Sequence, residues 1–335
     1  MEQIGTHRQR VLLTGSSGWL GRHLAHRFKA RGDSVIGLDV SSGVHTDVVG
    51  SIADPRFVEG VFSEYGIEAV VHAATLHKPD IARHSASRFV EVNVRGTLNL
   101  LEAAVRAGHE KFVFTSTTSL MISASIRAER GDRAVWLDRD TAPLEPRNIY
   151  GVTKLAAENL CRMVHLEQGL SCVVLRTARF FPEGDDLAHR HSTSGENTKT
   201  NEFLHRRLTV ADAADAHLRA FDNATDIGFG VYVVSSPPPF SRDDLYELKQ
   251  DAASVISRYF PDASELYARR GWVLPTTIGR VYDPSHAELE LGFRCRTDFA
   301  AVLDCLRRDA PLPFAHDTSY FTGTPADAFD RELNW

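Results

Sequence analysis

Tyr150 and Lys154 lie four residues apart at the start of a stretch, Asn148 to Gln168, that reads as a helix, so both side chains project from one face. A tyrosine has an ordinary pKa near ~10 and is a poor base at neutral pH. A neighbouring ammonium favours the phenolate and draws the phenol toward the working range, so the pair has the makings of a general acid/base. The spacing alone is a weak pattern. Of the eight tyrosines in the chain, however, only Tyr150 has a lysine at this distance, and it follows a strand-like run ending in Thr115-Ser116-Thr117-Thr118-Ser119.

A second group sits near the N-terminus. Thr14-Gly15-Ser16-Ser17-Gly18-Trp19-Leu20-Gly21 lies between an apolar run, Val11-Leu12-Leu13, and a helix-like segment from Leu20 to Ala30. One glycine serves a sharp turn, a second lets the backbone touch a pyrophosphate, and a third lets helix and strand pack closely. The helix start offers free N–H groups and a partial positive charge to phosphate oxygens. Gly15, Ser17, Gly18, Trp19, Leu20 and Gly21 are therefore expected to contact a dinucleotide. Asp39 ends the next strand-like run, Val35-Ile36-Gly37-Leu38. A carboxylate there accepts from the adenosine ribose hydroxyls and repels the extra phosphate of NADP, which favours NAD.

The elements that would hold these groups alternate. Strands are expected at Val11–Leu13, Val35–Leu38, Ala69–Ala74, Lys111–Ser116 and Ser171–Arg176, and helices at Leu20–Ala30, Phe89–Ala107 and Asn148–Gln168. That order implies βαβ units and a parallel sheet covered on both faces. Further on, His189 to Thr200 reads as a polar loop or flap, Val210 to Asn223 and Arg242 to Tyr259 as helices, Gly230 to Val234 as a strand, and Phe299 to Arg308 as the last helix.

Composition narrows the class. With 43% hydrophobic and 24% charged residues, the 335-residue chain suits a globular enzyme, too long for one ordinary domain and too short for three. A net charge of -6 without a basic block argues against nucleic acid. Cys161, Cys172, Cys295 and Cys305 lack metal-ligand spacing and are expected as free thiols. The polar start, Met1 to Arg10, and the lack of an apolar run near the ~20 residues of a membrane helix give a cytoplasmic expectation with no membrane partner.

Taken together, these segments resemble the extended short-chain dehydrogenase/reductases, in the NAD-dependent epimerase/dehydratase branch that includes UDP-glucose 4-epimerase-like enzymes. The resemblance is carried by Thr14–Gly21, His72-Ala73-Ala74, Asn93-Val94-Arg95-Gly96-Thr97, Phe114–Thr117, Tyr150-Gly151-Val152-Thr153-Lys154, Leu175-Arg176 through Phe181-Pro182-Glu183-Gly184, and Val210–Ala216. It implies a Rossmann fold, a doubly wound parallel sheet with helices on both faces, plus a smaller C-terminal α/β subdomain for substrate. The Rossmann part would be residues 1–182 with about 203–235, and the substrate part 183–202 with about 236–335. It also implies that Tyr150 is the general acid/base, that Lys154 tunes it and holds the nicotinamide ribose, and that Thr117 hydrogen-bonds the substrate oxygen. Ser116 is second in line for that last role and would lie nearer the nicotinamide. His72, Ala73, Ala74 and Asn93 join the cofactor-binding residues. A homodimer through the helices after Arg88 and around Tyr150 is implied as well.

Departures from the family pattern bear on the substrate. Where dehydrating members carry an Asp-Glu pair, this chain has Thr118 and Ser119, so dehydration is not expected. Arg179 replaces the family's substrate-binding asparagine and is open to meeting a carboxylate or phosphate, or to a structural ion pair. His77 and Lys78, after the His72 strand, are candidates for the substrate loop, and Arg280 for a nucleotide phosphate or a surface charge. The His72/His77/His84 and His189/His191 groups lack metal-ligand geometry, so no metal is expected. The substrate is read as a sugar or sugar nucleotide, epimerised or oxidised; a cofactor-binding sensor without chemistry is the remaining alternative.

Overall fold

A computed structural model describes residues 9–183 and 193–317. Gly184, His189, His191 and the tail beyond residue 317 lie outside the described residues. Strand β1 (Arg10–Thr14) leads into α1 (Trp19–Ala30), β2 (Ser34–Asp39), β3 (Val48–Val49), α2 (Pro55–Tyr65) and β4 (Ala69–His72). Then come α3 (Ala86–Phe89), a π-helical segment Val90–Arg95, α4 (Gly96–Arg106), β5 (Lys111–Thr117), α5 (Ala124–Ala128), β6 (Val135–Leu137), α6 (Ile149–Gln168) and β7 (Ser171–Thr177). The rest holds α7 (Gly195–Phe203), α8 (Val210–Ile227), β8 (Phe229–Val234), α9 (Leu245–Gln250), α10 (Ala252–Tyr259), α11 (Ala263–Arg269), β9 (Arg280–Tyr282), α12 (Ser285–Glu290) and α13 (Phe299–Arg307).

Seven parallel strands form one sheet in the order β3-β2-β1-β4-β5-β7-β8. Alternate residues feed opposite faces, which explains the near-continuous apolar runs. Val11, Leu13, Val71, Val113 and Val173 pack with α1 and α8, while Leu12, Val70, Phe112, Phe114 and Val174 pack with α2, α4 and α6. The chain reverses direction across the sheet between β1 and β4, so a crevice opens at their carboxyl ends, where open α/β sheets bind ligands. A third core gathers Phe203, Leu248, Val255, Tyr267, Val281, Phe299 and Leu303 with Ala134. Beside it, β6 and β9 make a separate two-stranded parallel pair.

Four expected elements come out differently. The β4 strand stops at His72 rather than Ala74. The Phe89–Ala107 helix is interrupted by the π segment around Asn93. Arg242–Tyr259 is broken at Asp251, whose side chain leaves the helix path to accept from Ser254 N at the start of α10. The stretch read as a loop from His189 to Thr200 contains the first turns of α7, capped by Ser194. α7 escaped the periodicity test because the residues it buries before its final Phe203 are polar: Asn197, Thr198, Lys199, Thr200 and Glu202.

Candidate active site

The loop after β1 is built around its glycines. Gly15 has φ +75°, and a Cβ there would lie 2.7 Å from Ala74 N, so loop and β4 strand end meet backbone to backbone. A Cβ on Gly21 would lie 1.9 Å from the Gly15 carbonyl oxygen, and no side chain fits. Gly18 opens α1 without any side-chain cap, the kind of helix start at which an anion is bound. Leu20 is buried in the core, and Trp19 packs edge-on against His23.

Asp39 closes this side. Its carboxylate accepts from Ser17 N and Ser41 N, both at 3.0 Å, and burial raises its pKa against those bonds. The Ser17 hydroxyl bonds Ser41 O at 2.8 Å and meets Thr46 Oγ1 at 2.6 Å, fixing the loop after β2 against the glycine loop. A glycine cradle, an uncapped helix start and a carboxylate at the next strand end fit a dinucleotide.

His72 and Asn93 are drawn inward. His72 is 1% exposed, with Nδ1 2.7 Å from Thr14 Oγ1 and Nε2 3.0 Å from Thr97 Oγ1. Thr97 already donates to Asn93 O, and Thr14 Oγ1 already accepts from Ala74 N. The network closes with His72 Nε2 donating and Nδ1 accepting. The Asn93 amide is occupied by Leu76 N, Leu76 O, Thr75 Oγ1 and Thr153 Oγ1. These two side chains tie the loop after β4 to α4 and α6. Ala73 N bonds Thr14 O at 3.2 Å, so its backbone holds the same crevice wall.

Tyr150 and Lys154 come from the first turns of α6, which starts at the Asn148 cap and ends at Gly169 in the left-handed conformation. Both side chains are buried. Thr117, at the end of β5, acts on the Tyr150 phenol in favour of its ionised form, but burial outweighs this and pushes the phenol up. This is opposite in direction to the lowering expected from the Tyr-Lys spacing. The cause is loss of water around a would-be phenolate. Burial likewise brings Lys154 down to about 7, opposed by Glu158 and then Cys161. The Lys154 ammonium lies 4.1 Å from the Phe114 ring centroid. Ser116 is buried, and its hydroxyl donates to Glu158 Oε1 at 2.5 Å.

Around Tyr150 the candidate substrate residues fall into two groups. The His77 ring lies 4.9 Å from Tyr150 and 4.9 Å from Phe181, which stacks on Phe180. His77 Nδ1 is enclosed without a hydrogen-bond partner, and burial, then Arg179, bring the imidazole down to about 3. Arg179 is half-buried, with Nη2 3.4 Å from Glu183 Oε1. Lys78 is exposed and opens the turn after His77. Arg280 is not a surface charge: it lies buried in β9, 3.8 Å from Glu129, with Arg127 and Arg280 both acting on Arg147. Glu158 and Arg147 were not picked out from the sequence, and Phe181 entered only as part of the segment Leu175-Arg176 through Gly184. Glu158 had a readable signal, since it repeats the four-residue step from Lys154 on one helix face.

Among the described residues, no group of three or more His, Cys, Asp or Glu side chains stands where it could hold a metal ion, and no helix is long and apolar enough to cross a membrane. All four cysteines are free.

The sequence matches the NAD dependent epimerase/dehydratase family over residues 11–234, and the chain belongs to that family. Membership of that family makes it an NAD-dependent enzyme, with NAD as its cofactor. Among similar proteins, UDP-glucose 4-epimerase of Rhizobium meliloti (strain 1021) is 27% identical over 329 residues, 88% of this chain and 94% of that one. GDP-6-deoxy-D-mannose reductase of Pseudomonas aeruginosa is 30% identical over 273 residues, 77% of this chain and 84% of its own. The fold is that of the solved Thermus thermophilus UDP-glucose 4-epimerase complex with NAD, at TM-score 0.58, 23% identity, and coverage of 89% of this chain and 99% of that one.

Proposed function

We propose that the chain epimerises a sugar nucleotide, with Tyr150 as the proton-handling group. The observation that carries this is the enclosed Tyr150 phenol, with Lys154 on the same helix face and Thr117 at the neighbouring strand end, at the sheet edge that also carries the glycine loop. NAD, when bound, supplies the acceptor and donor for the substrate's hydride. Tyr150 acts from its ionised form, which the Thr117 side chain favours: the phenolate takes the proton of the substrate hydroxyl as the carbon is oxidised, and the phenol returns it when the carbon is reduced. Thr117 holds the substrate oxygen at the phenol, and Lys154 holds the nicotinamide ribose. Gly15, Ser17, Gly18, Trp19, Leu20, Gly21, Asp39, Ala73, Ala74 and Ser116 line the cofactor side. His72 and Asn93 support them from behind.

On the substrate side, the His77, Tyr150 and Phe181 rings offer a shelf for the apolar face of a sugar ring, with His77 Nδ1 placed to bond a hydroxyl. Arg179 and Arg280 supply positive charge for an anionic substrate, with Lys78 at the rim. Of the described residues, 193–202 and those from about 236 to 317 form the substrate-binding part. The epimerase relative that matches 94% of its own length supports this reading. Exposed Val90, Val152, Met163 and Leu166, on the helices flanking the site, support a homodimer.

The test is incubation of the NAD-loaded protein with UDP-galactose, following UDP-glucose by chromatography and NADH by absorbance at once. UDP-glucose without accumulating NADH is the expected result. Stoichiometric NADH in its place identifies a dehydrogenase, and no conversion of either kind refutes the sugar-nucleotide assignment.

A further inference from the structure

Lys154, Glu158 and Cys161 succeed one another along the face of α6 turned toward β5 and β7. Glu158 is 3% exposed, and all its visible partners belong to the protein. Arg176 grips it with Nε 3.1 Å from Oε1 and Nη2 2.8 Å from Oε2, while Ser116 donates to Oε1. Ser116 and Arg176 are register neighbours on β5 and β7, so two adjacent strands hold one carboxylate. Phe114, two residues before Ser116, carries the Lys154 ammonium on its ring. The carboxylate therefore lies one helical turn from the ammonium, within the same enclosed layer.

Fastening β7 to α6 does not require charges, because an apolar pair of similar volume commonly serves as well or better. An apolar pair could not, however, offset the cost of burying a lysine ammonium. We propose that Glu158, fixed by Arg176 and Ser116, is a positioning residue that keeps Lys154 protonated and thereby sets the pH range in which Lys154 holds NAD. The proposal rests on the reading of Lys154 as a cofactor ligand.

The groups facing Lys154 leave this role to Glu158. On its own helix stand Tyr150 and Cys161, both pushed up by burial and therefore neutral. From β4 comes His72 and from the following turn His77, both driven down by burial and neutral as well. Arg176, from β7, is committed to Glu158. Glu158, gripped by Arg176, is the acidic member of this set and the strongest influence opposing the burial of Lys154.

The experiment is NAD affinity across pH for the full chain, comparing wild type with Glu158→Gln and Lys154→Met. Wild-type affinity should fall as Lys154 deprotonates above about pH 7. Glu158→Gln should match wild type near about pH 5 and begin its fall roughly one pH unit earlier, binding about tenfold more weakly above the wild-type midpoint. Lys154→Met should bind weakly with a flat profile. Overlaid profiles, or a Glu158→Gln loss equal at every pH, would overturn the proposal while leaving a weak Lys154→Met to support the ligand reading. If Lys154→Met binds NAD as wild type does, the ligand reading fails and this proposal falls with it. Should Glu158→Gln not fold, Glu158→Gln/Arg176→Met carries the same comparison without an unpaired buried guanidinium.

Discussion

The His77 imidazole stands edge-on to the Tyr150 ring, with centroids 4.9 Å apart and planes at 66°. The two residues arrive from unrelated elements, His77 from the turn after β4 and Tyr150 from the first turn of α6. Asn93 makes the meeting possible, since its amide bonds both Leu76, next to His77, and Thr153. With His77 Nδ1 unpartnered beside the phenol, His77→Phe keeps the ring packing and removes the polar atom. We expect its turnover of UDP-galactose to drop about tenfold, the worth of one hydrogen bond, with NAD affinity unchanged. Steady-state kinetics paired with an NAD titration check both halves.

Gly21→Ala tests the phosphate loop without touching the catalytic residues. The added methyl meets the Gly15 carbonyl oxygen at 1.9 Å, so the loop must move. Overpacking of this kind costs about 1–3 kcal/mol. NAD affinity should fall by about tenfold or more, and thermal melting with and without NAD should show a diminished cofactor-induced rise in Tm.

Asp39 has both oxygens engaged by backbone N–H groups and still has lone pairs for ribose hydroxyls. Asp39→Ala removes these bonds together with the charge that repels a 2′-phosphate. NAD should bind about tenfold to a hundredfold more weakly, as expected for charge-assisted bonds, with little loss for NADP. Parallel titrations of the two cofactors measure the change in preference.

His217 gives the protein an acid-sensitive component outside the proposed catalytic set. It is fully buried, receives Thr115 Oγ1 on Nε2 and donates Nδ1–H to Ala213 O, and burial brings it down to about 4. Its ordinary value is 6.5, so the unfolded chain binds a proton there before the folded one. Its stabilising contribution is complete above about pH 6.5 and is lost as pH falls toward about 4. At pH 5 the loss is about 2 kcal/mol. Urea midpoints at pH 7 and pH 5 should therefore converge more closely in His217→Gln than in wild type.

Much of this site could be read directly from residue order, because the phosphate loop, Asp39, Thr117, Tyr150 and Lys154 all sit at boundaries between strands and helices. Strong local signals placed them. β6 and β9 were not legible: each has three residues, and their pairing joins Val135 to Arg280 across a long separation in sequence. The same distance hid the burial of Arg280. α2 was passed over although Asp54-Pro55 is a helix-start signal, with the Asp54 carboxylate accepting from Arg56 N and Phe57 N. The direction of the Tyr150 shift lay beyond the sequence too, since spacing locates an ammonium but says nothing of how much water both groups lose.

The central claim is that Tyr150 handles the proton of the reacting alcohol. Tyr150→Phe keeps the ring against His77 and removes only the hydroxyl, so turnover of UDP-galactose compared with NAD affinity tests it most directly. We predict that Tyr150→Phe loses about a hundredfold or more in turnover while binding NAD as wild type does. Turnover retained at the wild-type rate would contradict the account.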